Sequence, residues 1–121
     1  MPRRAYVPKQ GDVVWLNLTP QAGHEQAGHR PALVLSPGAY NGRAGMALVC
    51  PITNQVKGYP FEVAISGLPG VSGVVLADQI HTLDWRARRA TYKAKADAEV
   101  VCEVLAKIAP LLAYRRDEVE R

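Results

Sequence analysis

The amino-acid sequence predicts a mainly β protein, a small barrel carrying one C-terminal helix. Three observations lead there. The first three quarters of the 121 residues are short apolar runs punctuated by Gly, Pro and Asn, a spacing that suits a barrel or sandwich rather than parallel βαβ units. Only near the C-terminus does an apolar stripe recur at three- and four-residue steps. The length is that of one domain, spanning residues 1–121, near the commonest domain size.

The elements follow in order. Val13–Leu18 reads as the first strand, after the turn-like Gly11-Asp12 and before Thr19-Pro20. Pro31–Ser36 lies between a polar loop and Pro37-Gly38, and its continuous apolar run Ala32–Leu35 predicts cover on both faces. Met46–Ile52 follows the turn-rich Asn41–Gly45, Phe61–Ile65 alternates apolar and polar, and Gly73–Ile80 supplies a fifth run. After Ile80 the character changes. Leu83–Arg88 reads as a helical turn with Asp84 near its start, and Ala90–Lys95 as one more strand. Asp97 stands at the N-cap of the terminal helix with Glu99 in its first turn. Val101, Val104, Leu105, Ile108 and Leu112 form its apolar stripe, and Pro110 predicts a kink or an end near Ala109. Tyr114–Arg121 mixes charges of both signs and reads as a solvated tail.

Composition narrows the function classes. Hydrophobic residues make up 48% and charged residues 21%, which excludes wholesale disorder. Apolar stretches of five to seven residues fall far short of the roughly 20 that span a bilayer. Met1-Pro2-Arg3-Arg4 is basic, but no apolar signal core follows. A soluble, cytoplasmic protein with no membrane partner is expected. Cys50 and Cys102 lie far apart inside apolar segments and read as two reduced core thiols, not as a zinc site or a disulfide framework. The formal charge of +4 suits a polyanionic partner without demanding one.

Three polar segments carry the candidate chemistry. Gly23–Pro31 packs His24, Glu25, Gln26, His29 and Arg30 beside two glycines that allow close approach to a ligand; the bland reading is an exposed hairpin loop. Pro51–Pro60 leaves a strand with Thr53, Asn54 and Gln55, then offers Lys57 and Tyr59. That set can hydrogen-bond phosphates and base edges and present one ring for stacking; alone, it reads better as a turn. Asp78-Gln79 precedes Trp85-Arg86-Ala87-Arg88-Arg89, where basic residues beside an aromatic suit single-stranded nucleic acid. A solvated basic face with Trp85 half in the core explains that segment equally well. No glycine-rich phosphate loop, metal-spaced histidine pair or nucleophile elbow is present: His24 and His29 lie five apart in a loop, and His81 is distant in sequence.

Taken in order, Gly11–Trp15, Glu25–Ala32, Pro51–Thr53, Lys57–Val63, Leu76–Gln79 and Trp85–Arg88 resemble the MazF/PemK family of toxin–antitoxin toxins. The resemblance runs from about Tyr6 to about Leu112, nearly the whole chain. It implies an SH3-like barrel of the kind shared with the CcdB and Kid toxins, acting as a homodimer. It implies an endoribonuclease needing no metal or other cofactor, which cuts single-stranded RNA at short sites, often containing ACA. The products implied are a 2′,3′-cyclic phosphate and a 5′-hydroxyl. A cognate MazE-like antitoxin with an acidic, unstructured tail is the implied protein partner, and DNA is bound only through the toxin–antitoxin complex.

Carried over residue by residue, Arg30 matches the family's catalytic arginine and Thr53 its second essential residue, while Glu25 and His29 fall on positions linked to activity. The chemistry fits: a guanidinium grips phosphate oxygens bidentately as charge builds, and an imidazole shuttles a proton near neutral pH. Which group is acid and which is base stays open. His24, Gln26, Asn54, Gln55, Lys57, Tyr59, Asp78, Gln79, Arg86 and Arg88 are the expected RNA contacts. His24, Asn54, Val56 and Pro110 depart from the family pattern, so base preference and the last helix are where this chain should differ. Two other classes compete: a non-catalytic toxin or binding module on the same barrel, such as a gyrase poison, and a duplex-DNA repressor. Arg30, Thr53, Glu25 and His29 together favour the enzyme, and no recognition-helix pattern supports the repressor.

Overall fold

A computed structural model gives the fold and describes residues 5–17, 29–113 and 116–119. Among the described residues, seven strands form one curled antiparallel sheet: β1 (Asp12–Asn17), β2 (His29–Val34), β3 (Met46–Thr53), β4 (Glu62–Leu68), β5 (Val71–Leu76), β6 (His81–Asp84) and β7 (Thr91–Lys95). The strand order is β4-β5-β3-β2-β1-β7, with β6 paired to β3 off that path. Helix α1 (Gly38–Ala44) precedes β3, α2 (Ala98–Ile108) follows β7, and a single turn, α3 (Arg116–Val119), lies in the tail.

Both faces of the sheet are covered, as the run Ala32–Leu35 predicted. Leu33 and Leu35 belong to the cluster inside the curl with Val13, Cys50, Val63 and Val75, and Val101, Val104 and Ile108 of α2 join it. Ala32 and Val34 face the other way, onto Val14, Leu16, Val49, Leu83 and Trp85. Each fully buried aliphatic side chain contributes roughly 1.5–3 kcal/mol by leaving water. The buried Asp12 carboxylate accepts from Tyr6 Oη at 2.7 Å and Lys9 N at 3.0 Å and pairs with Lys95 Nζ at 3.3 Å. Burial and the Asp12 partner push the Tyr6 phenol well above its usual range.

Several sequence expectations need correction. Asn41–Ala44 is part of a helix, not a turn, because tertiary bonds hold it. Asn41 Nδ2 donates to Pro8 O at 2.8 Å and Ser36 O at 2.9 Å, while Asn41 O accepts from the Trp85 indole at 2.9 Å. Leu83–Arg88 divides: Leu83 and Asp84 close the strand His81–Asp84, which pairs with Met46–Val49, and residues 84–88 make a single turn in which Arg88 N donates to Asp84 O at 3.1 Å and Ala87 N to Asp84 Oδ1 at 2.9 Å. Trp85 is only 4% exposed, so it is core rather than a stacking platform. Asp97 is the N-cap of α2, but its carboxylate makes no cap hydrogen bond; its carbonyl accepts instead from Val100 N and Val101 N. The stripe on α2 is narrower than predicted: Leu105 and Leu112 are exposed, and so is Cys102, which lies on the same outer side of the helix instead of joining Cys50 in the core. The helix ends at Ile108, and Pro110 sits in a 3-10 turn over Ala109–Leu112.

The candidate RNA-cleavage site

Two prolines open the site. The β2–β3 ladder runs Val34↔Val49, Leu33↔Cys50, Ala32↔Pro51 and stops there. Pro31 and Pro51 carry no N–H to continue it. Beyond them, Ile52 and Thr53 pair with Val75 and Val74 of β5, and Arg30 stays with Leu16 of β1. The strands splay, and a cleft of about 700 Å³ opens where they part, with Arg30 and Thr53 both on its lining.

Register determines which side chains share the cleft. Antiparallel partners, and residues two apart on a strand, lie on one face. Arg30 therefore shares a face with Ala32 and Val34, Thr53 with Pro51 and Val49, and the pair Val34↔Val49 makes these one face. His29 is offset by one residue, and its ring packs on Trp15, centroids 5.4 Å apart and 31° between planes. Among the described residues the Arg30 side chain makes no ion pair or hydrogen bond, which leaves its guanidinium donors for a ligand.

The end of β3 is held from two directions. Thr53 Oγ1 accepts from the Gln55 amide at 3.1 Å, so its own hydroxyl proton remains for an incoming oxygen. Asn54 Oδ1 accepts from Ser72 Oγ at 2.9 Å. Gly73, at φ +107°, lets β5 press against this strand end: a Cβ there would lie 2.1 Å from Thr53 O.

A smaller hollow of about 160 Å³ continues from the cleft past Thr53, Gln55 and Gln79 to Lys57, Tyr59, Glu62 and Asp78. Glu62 braces its loop by accepting from Lys57 N and Gly58 N, each at 2.9 Å. Tyr59 is 60% exposed, with Lys57 Nζ 6.0 Å above its ring. The two spaces differ in charge. Among the described residues, the titratable groups lining the larger one (His29, Arg30, His81) are all basic, whereas the hollow mixes Lys57 with Glu62 and Asp78.

The structure thus brings together Arg30, Thr53, His29, Asn54, Gln55 and Gln79 in the cleft, and Lys57, Tyr59 and Asp78 in the hollow beside it. Arg86 and Arg88 line neither: Arg86 lies 4.6 Å over the Trp85 ring, and Arg88 Nη1 donates to Asn17 O at 2.9 Å. Glu25, His24 and Gln26 lie outside the described residues. Sequence reasoning missed Trp15, Ser72, Gly73 and His81, whose relevance comes from strand register alone. Among the described residues, no three His, Cys, Asp or Glu side chains cluster to hold a metal ion, and no helix is long and apolar enough to cross a membrane. Beneath the cleft the Cys50 thiol is pushed up to about 12 by burial, and secondarily by the Asp78 charge.

Fold and cleft together define a small curled-sheet protein with a basic, strand-end cleft suited to an anionic chain. Comparison with known proteins narrows the class. Residues 9–112 match the family described as PemK-like, MazF-like toxin of type II toxin-antitoxin system. The chain is 51% identical over 107 residues to the endoribonuclease toxin MazF of Escherichia coli (strain K12), covering 88% of this chain and 96% of that one. Its fold superposes on the crystal structure of MazF from Deinococcus radiodurans with a TM-score of 0.82 and 59% identity, covering 91% of this chain and all of that one. A MazE–MazF crystal structure from the same organism matches with a TM-score of 0.80 and 51% identity, covering 92% and 100% of the two chains. The chain belongs to the PemK-like, MazF-like family of type II toxin–antitoxin toxins.

Proposed function

We propose that this protein is an endoribonuclease toxin that cuts single-stranded RNA at short, ACA-containing sites without a metal ion, leaving a 2′,3′-cyclic phosphate and a 5′-hydroxyl. The observation that carries the reading is the convergence of Arg30 and Thr53, far apart in sequence, on one face of a cleft whose titratable lining among the described residues is basic. The cleavage needs no external nucleophile. The RNA's own 2′-oxygen attacks the adjacent phosphorus, forming the O2′–P bond, while the P–O5′ bond breaks. A proton leaves the 2′-hydroxyl and another reaches the 5′-oxygen, so a base and an acid are required.

Arg30 supplies the charge. Its guanidinium grips two non-bridging oxygens and stabilises the phosphorane, where negative charge builds. Thr53 orients the phosphate with its hydroxyl proton, the oxygen being held by the Gln55 amide. His29, steadied on Trp15, and Glu25 are the candidate proton carriers. Tyr59 offers a ring to a neighbouring base, and Asn54, Gln55, Gln79 and Lys57 offer polar contacts to bases and phosphates.

Control by an antitoxin follows from the same charge pattern. An acidic, flexible tail laid in the cleft places carboxylates where RNA phosphates would sit, and the MazE–MazF crystal structure from Deinococcus radiodurans supports an antitoxin partner. A homodimer, acting in the cytoplasm, completes the proposal; exposed Leu105, Leu111 and Leu112 supply apolar surface for self-association. The test incubates single-stranded RNA bearing several ACA contexts with the protein and excess EDTA, beside an all-deoxy copy, and maps the fragment ends. Discrete RNA cuts ending in cyclic phosphate, with DNA intact, are expected. Folded protein that leaves a broad RNA library uncut would transfer the assignment to a non-catalytic binding module.

A further inference from the structure

We infer that His81 is a further RNA-contacting residue, donating a hydrogen bond to a backbone phosphate of the strand whose scissile phosphate Arg30 holds. The inference rests on the endoribonuclease reading and adds a contact to it.

The placement comes from β6. His81 is its first residue and pairs with Val49 of β3. Val49 also pairs with Val34 of β2, so His81 lies on the face that carries Arg30, Pro51 and Thr53. On β3, Met46–Val49 pair with β6 and Ile52–Thr53 with β5. Two strands therefore share one edge of β3, and the 77–80 connection between them passes Cys50 and Pro51 before His81 emerges in the cleft. His29, by contrast, is one residue out of phase and packs on Trp15. His81 is thus the imidazole on the same sheet face as Arg30 and Thr53.

Its chemistry suits a phosphate. The side chain is exposed, and among the described residues it has no hydrogen bond, ion pair or ring contact. Among the described residues no carboxylate lines the cleft with it. A single-stranded polyanion crossing from Arg30 toward β6 meets His81 next, and a protonated imidazole offers two N–H donors. The charged and titratable groups around it are His29 and Arg30 on β2, Asp78 in the 77–80 connection and Asp84 on β6; Met46–Thr53 of β3 carries none apart from the buried Cys50 thiol. These are common to wild type and variants, so a comparison at two pH values isolates residue 81.

The experiment measures binding of a fluorescein-labelled single-stranded RNA made uncleavable by one 2′-deoxy sugar at the cut site. Wild type, His81→Ala, His81→Gln and His81→Lys are compared across a salt series at about pH 6 and about pH 8.5, either side of the ordinary histidine range. At the lower pH, His81→Ala and His81→Gln should weaken binding roughly 3- to 10-fold and make the log–log salt slope shallower by about 0.7, one phosphate's worth on a single strand. At the higher pH the difference should shrink below about twofold, while His81→Lys keeps the wild-type slope at both. Thermal melts check folding, and the glutamine variant carries the comparison should alanine melt early. Variants matching wild type in affinity and slope at low pH would overturn the contact. Equal weakening at both pH values with an unchanged slope would overturn it too, as a packing effect. Wild type that binds and cleaves RNA while residue 81 has no effect removes only His81; folded wild type that binds no RNA removes the endoribonuclease reading as well.

Discussion

Gly73→Ala tests how the fold holds Thr53. A Cβ at Gly73 would sit 2.1 Å from Thr53 O, 2.8 Å from its carbonyl carbon and 3.0 Å from Asn54 Oδ1, and real Cβ atoms essentially never come within 3.0 Å. The atoms in the way are backbone, so the end of β3 must retreat by about 1 Å, a displacement that can cost on the order of 10²-fold in rate at a positioned group. Stability falls as well, through a positive φ forced on an L-residue and a crowded strand contact, together about 2–5 kcal/mol. For a chain of this size that lowers Tm by about 8–20 °C. Gly67→Ala is the control, since Gly67 has φ +76° with nothing within 4 Å of its Cβ position. It carries the φ cost alone, about 1–2 kcal/mol, or about 4–8 °C. Thermal melts and single-turnover RNA cleavage at a temperature where both variants are folded give the two readouts. Equal melting temperatures and equal rates for the two variants would refute the claim that close strand approach at Gly73 positions Thr53.

Three further outcomes follow from the same site and core. Arg30→Lys should cut single-turnover cleavage by roughly 10²–10³-fold with Tm nearly unchanged, because lysine lacks the fork that holds two phosphate oxygens; a wild-type rate contradicts the bidentate role. Thr53→Val should lose on the order of 10²-fold in rate but only about 0.5–1.5 kcal/mol of stability, the Gln55 amide losing its partner at an exposed position; a large Tm loss with equal loss of activity would make Thr53 structural. Stability should be flat to about pH 9 and then fall as pH rises toward 12. Unfolded Cys50 and Tyr6 ionise in that range, while burial keeps both protonated in the folded state. The double variant Cys50→Ala/Tyr6→Phe should melt lower at neutral pH yet lose less Tm between about pH 9 and 11; a slope as steep as wild type's would assign alkaline unfolding to other groups.

The strands were legible where hydrophobic pattern and turn residues agree, as at Val13–Leu16, where Val13 enters one cluster and Val14 and Leu16 the other, and at Ala32–Leu35, which alternates between the two. Arg30 and Thr53 were legible as residues but not as a pair, because their meeting depends on Pro31 and Pro51 ending a ladder. Helix α1 was not legible: Asn41 and Gly42 are poor helix formers, and the turn is held by a local bond to Ser36 and by bonds to Pro8 and Trp85 from two distant segments. Strand β6 was hidden for a different reason. Only Leu83 of its four residues is buried, so no alternation shows, and its pairing with β3 alone makes it a strand. His81 therefore looked remote until register placed it opposite Val49.

In the proposed mechanism this cleft cleaves RNA by activating the substrate's own 2′-hydroxyl. The most direct measurement takes an RNA with one mapped cut site and replaces that single ribose by its 2′-deoxy form, leaving every other contact in place. The account predicts that binding persists and cutting at that linkage vanishes, with no product even after long incubation. Continued cleavage at the 2′-deoxy linkage would contradict it, showing that an outside nucleophile attacks the phosphorus.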